Sequence, residues 1–327
     1  MRISLEQAIT LLKNGEVVAI PTETVYGLAA DASNDSALQK IFSIKQRPAD
    51  HPLIVHISDI NQVNHWAAVF PEVAMKLAKA FWPGAFTLVL PAKNHVSRIV
   101  RGGEPTVALR VPNHPTALAL LKSSGLSVAA PSANLFTQLS PTTVAHVEAG
   151  LGKNIPVLDG GACSVGIEST IVNVSADGHW QLLRPGMVSE AEIALVAGTP
   201  QQTCAKVKLD ETERSLPKAP GQHALHYAPR TPLLLFNNKT ALIRECQALA
   251  ELHLTSAALL IGTGDRPSCS VMQLSNKPTE VAEQLYSTLH DLDDLKADRL
   301  LIELPPNTPA WLAVRDRLIR AGGSERI

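Results

Sequence analysis

Aromatic side chains are scarce here: Phe, Trp and Tyr together make up 4% of the 327 residues. A surface that recognises nucleic acid by base stacking needs several rings, so that role is excluded as the main one. Cysteine is sparse too. Cys163, Cys204, Cys246 and Cys269 lie far apart with no Cys-x-x-Cys pair, which excludes a disulfide framework or zinc knuckle and implies reduced thiols in the cytoplasm. Neither sign of charge prevails. Residues 1–196 carry 14 Lys and Arg against 15 Asp and Glu, and the remainder 15 against 15, so neither half is a basic nucleic-acid module. No apolar run approaches the ~18 residues of a membrane span, and no membrane partner is expected. Glu6 interrupts any signal-peptide pattern, and Ser4-Leu5-Glu6-Gln7 reads as a capping box opening an amphipathic helix.

What is present is a large apolar fraction, 45% hydrophobic against 18% charged, on a chain long enough for two domains. Strand and helix periods interleave over 1–198 (strands at 16–20, 53–57, 86–90, 106–111, 126–130, 156–159, 167–174 and 180–184), giving a mixed α/β domain. Residues 199–231 have no sustained period and read as a linker carrying one island, Pro220 to Pro229. From 232 to 327, strands alternate with helices in a smaller, parallel-rich α/β domain.

Polar clusters fall where strands end. Ile20-Pro21-Thr22-Glu23-Thr24-Val25-Tyr26-Gly27 continues a buried strand into hydroxyls around one acid, and is expected to stay extended, with Thr22 and Thr24 opposite Glu23. It is either a polar edge strand or a pocket wall. Lys45 and Arg47 end a helix, where cations ordinarily complement the dipole, but the chain turns at once into the strand holding His56. His56 is either a satisfied core residue or a ligand. Arg110 lies within an apolar strand, so it must pair with Glu23 or Glu168, or bind an anionic ligand. Ser140-Pro141 is expected to open a helix with Ser140 as N-cap. Asp159-Gly160-Gly161 leads through a loop into Glu168-Ser169-Thr170, which matches neither a P-loop nor a dinucleotide fingerprint. Cys163 has no adjacent histidine base. Together these describe an anion-binding α/β domain without a nucleophile triad or a metal cage, suited to catalysis by positioning and charge stabilisation.

In order, the segments PTETVYGL, KQRPADHPLIVHI, FWPGAFTLVL, VALRVP, PSAN, SPTT, DGG, GIESTIV and LLRPG, then HYAP, resemble one family, the long, two-domain form of threonylcarbamoyl-AMP synthase. The resemblance implies a YrdC-like twisted mixed-sheet domain joined by a long linker to a smaller Rossmann-like α/β domain. It implies that ATP, L-threonine and bicarbonate become threonylcarbamoyl-AMP and pyrophosphate, with Mg²⁺ accompanying ATP. The product would reach tRNA indirectly, through a threonylcarbamoyl-transferase partner acting beside the anticodon, and the family also implies double-stranded RNA binding. Lys45 and Arg47 match catalytic positions. Arg47, His51, Thr106, Ser132, Ser140, Arg184 and Tyr227 match ATP contacts, Tyr227 as a lid. Thr24, His56, Arg110, Ala130 and Ser169 match the threonine side, where Arg110 would clamp the carboxylate. The chain departs from the family at Leu135-Phe136-Thr137-Gln138, at His51 and at Ala224. Another carbamoyl-adenylate-type transferase and a non-catalytic RNA-binding protein are the competing readings.

Overall fold

The computed structural model describes residues 1–199, 217, 220 and 226–323. Strands β1 (Arg2–Ile3), β2 (Val18–Ile20), β3 (Gly27–Asp31), β4 (Ile54–His56), β5 (Phe86–Pro91), β6 (Thr106–Arg110), β7 (Val128–Ala129), β8 (Val157–Leu158), β9 (Thr170–Val174) and β10 (Trp180–Arg184) build one sheet. Its ten strands run in the order β1-β8-β2-β3-β7-β4-β6-β5-β9-β10, with parallel and antiparallel pairs intermixed. A second, wholly parallel sheet follows in the order β11-β14-β12-β13, from β11 (Leu233–Phe236), β12 (Ser256–Ile261), β13 (Ser270–Leu274) and β14 (Arg299–Glu303). Both sheets are as expected of the mixed and parallel-rich parts of the sequence.

Alternation along each strand decides what the sheet faces. Val55, Leu88, Leu90, Val107, Leu109, Val172 and Val174 turn to the main core beneath helices Asp35–Lys45 and Glu72–Phe81. The other face of the same strands presents His56, Thr87, Arg110 and Ile171. Local signals set helix ends: Ser4 closes the expected capping box with Gln7, and Ser189 closes another with Glu192. Ser140 does not cap a helix. The helix begins later, at Val144, under Thr143, whose side chain accepts from the His146 amide. The Ser140 hydroxyl is instead engaged by Glu168.

Loops of the first domain dock on helix Pro278–Asp294 of the second. Ile167, Val25, Leu139 and Tyr227 are buried in the apolar core that underlies the second sheet. Gly166 (φ +78°) passes so close that a Cβ there would lie 2.3 Å from the Glu283 carbonyl oxygen. Among the described residues no helix is long and apolar enough to cross a membrane.

Candidate active site

The segment after β2 bends rather than staying extended. Thr22 Oγ1 accepts from the Thr24 and Val25 amides (both 3.2 Å) and donates to the Val25 carbonyl (2.7 Å), a local hydroxyl turn. Alternation is lost, and Glu23 and Thr24 both reach the same guanidinium instead of opposite sides. The bent segment is knitted to the later motifs by backbone bonds: Leu28 N to Pro131 O (2.7 Å), Ala133 N to Tyr26 O (2.8 Å), Tyr26 N to Pro141 O (2.8 Å) and Val165 N to Glu23 O (2.7 Å). Motifs distant in sequence thus become the wall of one hollow.

That hollow has about 670 Å³ of space between its walls, part of it open to solvent. Thr24, Lys45, Arg47, His56, Arg110, Ala130, Ser132, Ser169, Arg184 and Tyr227 line it together. Thr106, Ser140 and His51 are not among its lining residues. Thr106 opens β6, four residues from Arg110, or roughly 13 Å along an extended strand. Ser140 lies one hydrogen bond behind the wall. His51 packs edge-on against the lining residue Phe136, with ring centroids 5.4 Å apart. Ala224 lies outside the described residues, as does most of the 199–231 linker.

On one side, register sets His56 beside Arg110 across the parallel β4–β6 pair. Arg110 Nη1 donates to Thr24 Oγ1 (3.0 Å) and Nε to the Gly84 carbonyl (3.2 Å). Nη2 lies 2.7 Å from Glu23 Oε1, with side chains 4% and 4% exposed, but off line for a hydrogen bond. The buried ion pair considered from sequence is therefore present, and it leaves Nη2 and both Glu23 oxygens with unused capacity. Burial would raise the Glu23 pKa, but the charge of Arg110 outweighs it and the carboxyl is held below its usual value. Burial, and secondarily Arg110, pushes His56 down to about 3, so its imidazole is neutral, with Nδ1 lacking a partner.

On the other side, the left-handed Gln46 (φ 52°) ends helix Asp35–Lys45 and turns Arg47 inward. Lys45 Nζ donates to the carbonyls of Ser132 (2.5 Å) and Asn134 (2.6 Å), holding the Pro131-Ser132-Ala133-Asn134 loop. Arg47 Nη2 donates to Pro52 O (3.0 Å), while its Nε has no partner. Arg184 donates to the Ser169 carbonyl (3.1 and 2.9 Å) and, through Nη1, to Pro220 O (2.9 Å). Burial first and Arg47 second lower the Lys45 pKa well below the lysine range, and burial brings Arg47 down to about 10. Three buried cations packed this way outnumber the one carboxylate that lines the hollow with them, Glu168, which favours a polyanionic ligand. Burial pushes the Cys163 thiol up to about 12, which keeps it from acting as a thiolate nucleophile.

Glu168, the one carboxylate on this side of the cavity lining, is fully engaged. It accepts from Ser140 Oγ (2.6 Å), Tyr286 OH (2.9 Å) and Arg317 Nε (2.8 Å). Burial would raise its pKa, but Arg317 and Arg184 draw it to about 2. Among the described residues no group of three or more His, Cys, Asp or Glu could hold a metal ion. With Glu168, the one carboxylate in the lining, committed to Arg317, the lining fits a divalent cation that arrives on a polyphosphate better than one caged by protein carboxylates.

Sequence reasoning missed Glu168 as a hub, His226 and the contribution of the second domain. His226 lines the cavity, is brought down to about 3 mainly by burial, and has an unpartnered Nδ1. Arg317 carried a readable signal: it shares the apolar stripe of Val314, Leu318 and Ala321, where a charge requires a buried partner.

A family profile described as telomere recombination matches residues 10–186. A second, described as the C-terminal domain of threonylcarbamoyl-AMP synthase, matches residues 188–323. The chain belongs to the threonylcarbamoyl-AMP synthase family. It is 41% identical over 334 residues to the threonylcarbamoyl-AMP synthase of Bacillus subtilis, covering 99% of this chain and 94% of that one. To the synthase of Pyrococcus abyssi it is 38% identical, covering 97% and 93%. The crystal structure of P. abyssi Sua5 complexed with L-threonine superposes with a TM-score of 0.88 at 34% identity, over 100% of this chain and 98% of that one.

Proposed function

We propose that this chain is an L-threonylcarbamoyladenylate synthase, converting ATP, L-threonine and bicarbonate to threonylcarbamoyl-AMP and pyrophosphate. The observation that carries the reading is the convergence of buried donors without sound partners (Arg47 Nε, Arg110 Nη2 and Tyr227 OH) on one cavity, in a chain of this family. The Arg110 side suits an amino acid. Nη2 would take the carboxylate, Thr24 and Ser169 would orient it, and the neutral His56 together with Glu23 would accept hydrogen bonds from the amine. Ala130 leaves room for the side chain. The cationic side suits the triphosphate, with Arg47 and Arg184 on phosphate oxygens and Ser132 at the loop. Ser140, Thr106 and His51 would contribute at its margin. Lys45 acts by holding that loop and adding positive potential. Mg²⁺ would be held by the phosphates and would supply further charge neutralisation.

In this reading the threonine ammonium loses a proton, which bicarbonate takes up in giving carbon dioxide and water; the freed amine bonds to the carbon of carbon dioxide and releases its second proton to solvent, giving a carbamate. A carbamate oxygen then forms a bond to the α-phosphorus in line as the bond to pyrophosphate breaks. Both partners are anions, so the reaction needs them held together against repulsion, and the buried cations supply that. Tyr227, packed between His226 and Tyr286, would close the nucleotide side and exclude water from the labile anhydride. The product would pass to a threonylcarbamoyl-transferase and reach tRNA through it. The test is pyrophosphate release from ATP with threonine and bicarbonate omitted in turn. Release that requires both is expected; release independent of either would overturn the assignment.

A further inference from the structure

The parallel-sheet domain reaches the active site through two side chains. Glu168 is 7% exposed, and the two carboxylate oxygens draw on different domains. Oε1 is bonded by Ser140, whereas both donors to Oε2, Tyr286 and Arg317, come from the C-terminal domain. Arg317, with 0% of its side chain exposed, also donates to the carbonyls of Glu168 (3.3 Å) and Pro185 (3.0 Å), bracketing the approach to Arg184. Its guanidinium sits 5.3 Å from the Tyr227 ring centroid. The Gly166 backbone presses on the Ala282 and Glu283 carbonyls, and His290 Nε2 lies 3.3 Å from the Ser140 carbonyl. Ala282, Tyr286 and His290 form one stripe of helix Pro278–Asp294, at the i, i+4 spacing that aligns side chains. Without Tyr286 and Arg317, Glu168 would be a buried carboxylate with Oε2 unsatisfied, and its loop would have to rearrange.

We propose that Arg317 and Tyr286 are positioning residues for the nucleotide side of the active site: they fix Glu168, and through it Ser140 and the loop beneath Arg184. This assigns the C-terminal domain a structural part in ATP binding, and it rests on the function proposed above.

The full-length Tyr286→Phe variant tests it, because the ring remains and only the hydroxyl is lost. With pyrophosphate release as the assay, KM for ATP is expected to rise about tenfold, the equivalent of one hydrogen bond to a charged group. KM for threonine should stay within about twofold, and the melting temperature near the parent's. If the chain of contacts is real, Ser140→Ala absorbs most of the effect, so adding Tyr286→Phe to it raises KM by less than about threefold. Arg317→Met should act in the same direction, and Arg317→Lys should recover part of the loss. If Arg317→Met does not fold, Tyr286→Phe still decides. An unchanged KM for ATP, an equal rise for both substrates, or effects of Tyr286→Phe and Ser140→Ala that simply multiply would overturn the proposal. Should the parent release no threonine-dependent pyrophosphate, the functional assignment fails instead. Calorimetric ATP affinity of the same variants then tests the positioning role separately.

Discussion

Replacing Arg110 by alanine removes the cation that keeps Glu23 ionised in a site where each side chain is 4% exposed. Breaking a buried pair from one side leaves an uncompensated charge, so the loss of stability at pH 7 should be about 3–5 kcal/mol. The pH dependence has a definite sign. In the parent, Arg110 overcomes burial and Glu23 titrates below its usual value, so the pair's contribution is present at neutral pH and is lost only as pH falls through that lowered pKa. In the variant burial, the largest single influence, is opposed only by backbone hydrogen bonds from Asn113 and Glu23, so the Glu23 pKa is expected to rise above 4.5, the ordinary value. The penalty is then full above the raised pKa and shrinks as pH falls through it. Denaturant unfolding of parent, Arg110→Ala and Arg110→Ala/Glu23→Gln at pH 7 and pH 5 measures this. The single variant should recover part of its deficit at pH 5, and the double variant should be the more stable of the two at pH 7. A deficit of equal size at both pH values, or no gain from the second substitution, would refute the reasoning. KM for threonine should rise in both variants. Unchanged apparent affinity would refute the carboxylate clamp.

Lys45→Met orphans the carbonyls of Ser132 and Asn134, each worth about 1–3 kcal/mol when buried without a donor, and should raise KM for ATP. Because burial and Arg47 depress the Lys45 pKa, parental ATP affinity should fall with rising pH earlier than an ordinary lysine would dictate. Lys45→Met should lose that limb, and superimposable profiles would count against it. Gly166→Ala should cost about 2–4 kcal/mol, from the left-handed backbone and the Glu283 contact together. Gly161→Ala, also at positive φ (81°) but with open space around its Cβ, should cost only the backbone share. Equal shifts in thermal melts would rule out close docking at Gly166.

Much of this site could be read from sequence because its residues stand at strand and helix ends, where polar groups interrupt clear hydrophobic periods. Lys45, Arg47, His56, Arg110, Ser132 and Arg184 all announce themselves in that way, and all line the cavity. The misreadings have physical causes. Thr22 uses its own hydroxyl to bend the chain, which a period-two reading cannot register. Ser140 followed by proline looks like a helix start, but a carboxylate 28 residues away takes its hydroxyl. For Arg110, pairing and ligand binding draw on one guanidinium, so composition and spacing could not separate them. Glu168, Tyr286 and Arg317 meet only through the docking of two domains, a contact across 149 residues that no local pattern encodes.

One hollow is to hold an amino acid on Arg110 and, beside it, a nucleotide on the buried cations Lys45, Arg47 and Arg184. The most direct test of that arrangement is a crystal structure with L-threonine and a non-hydrolysable ATP analogue bound together. The threonine carboxylate is expected within hydrogen-bond distance of Arg110 and the phosphates at Arg47 and Arg184. Either ligand on another face of the molecule, or phosphates at Arg110 with the carboxylate at Arg47, would contradict it.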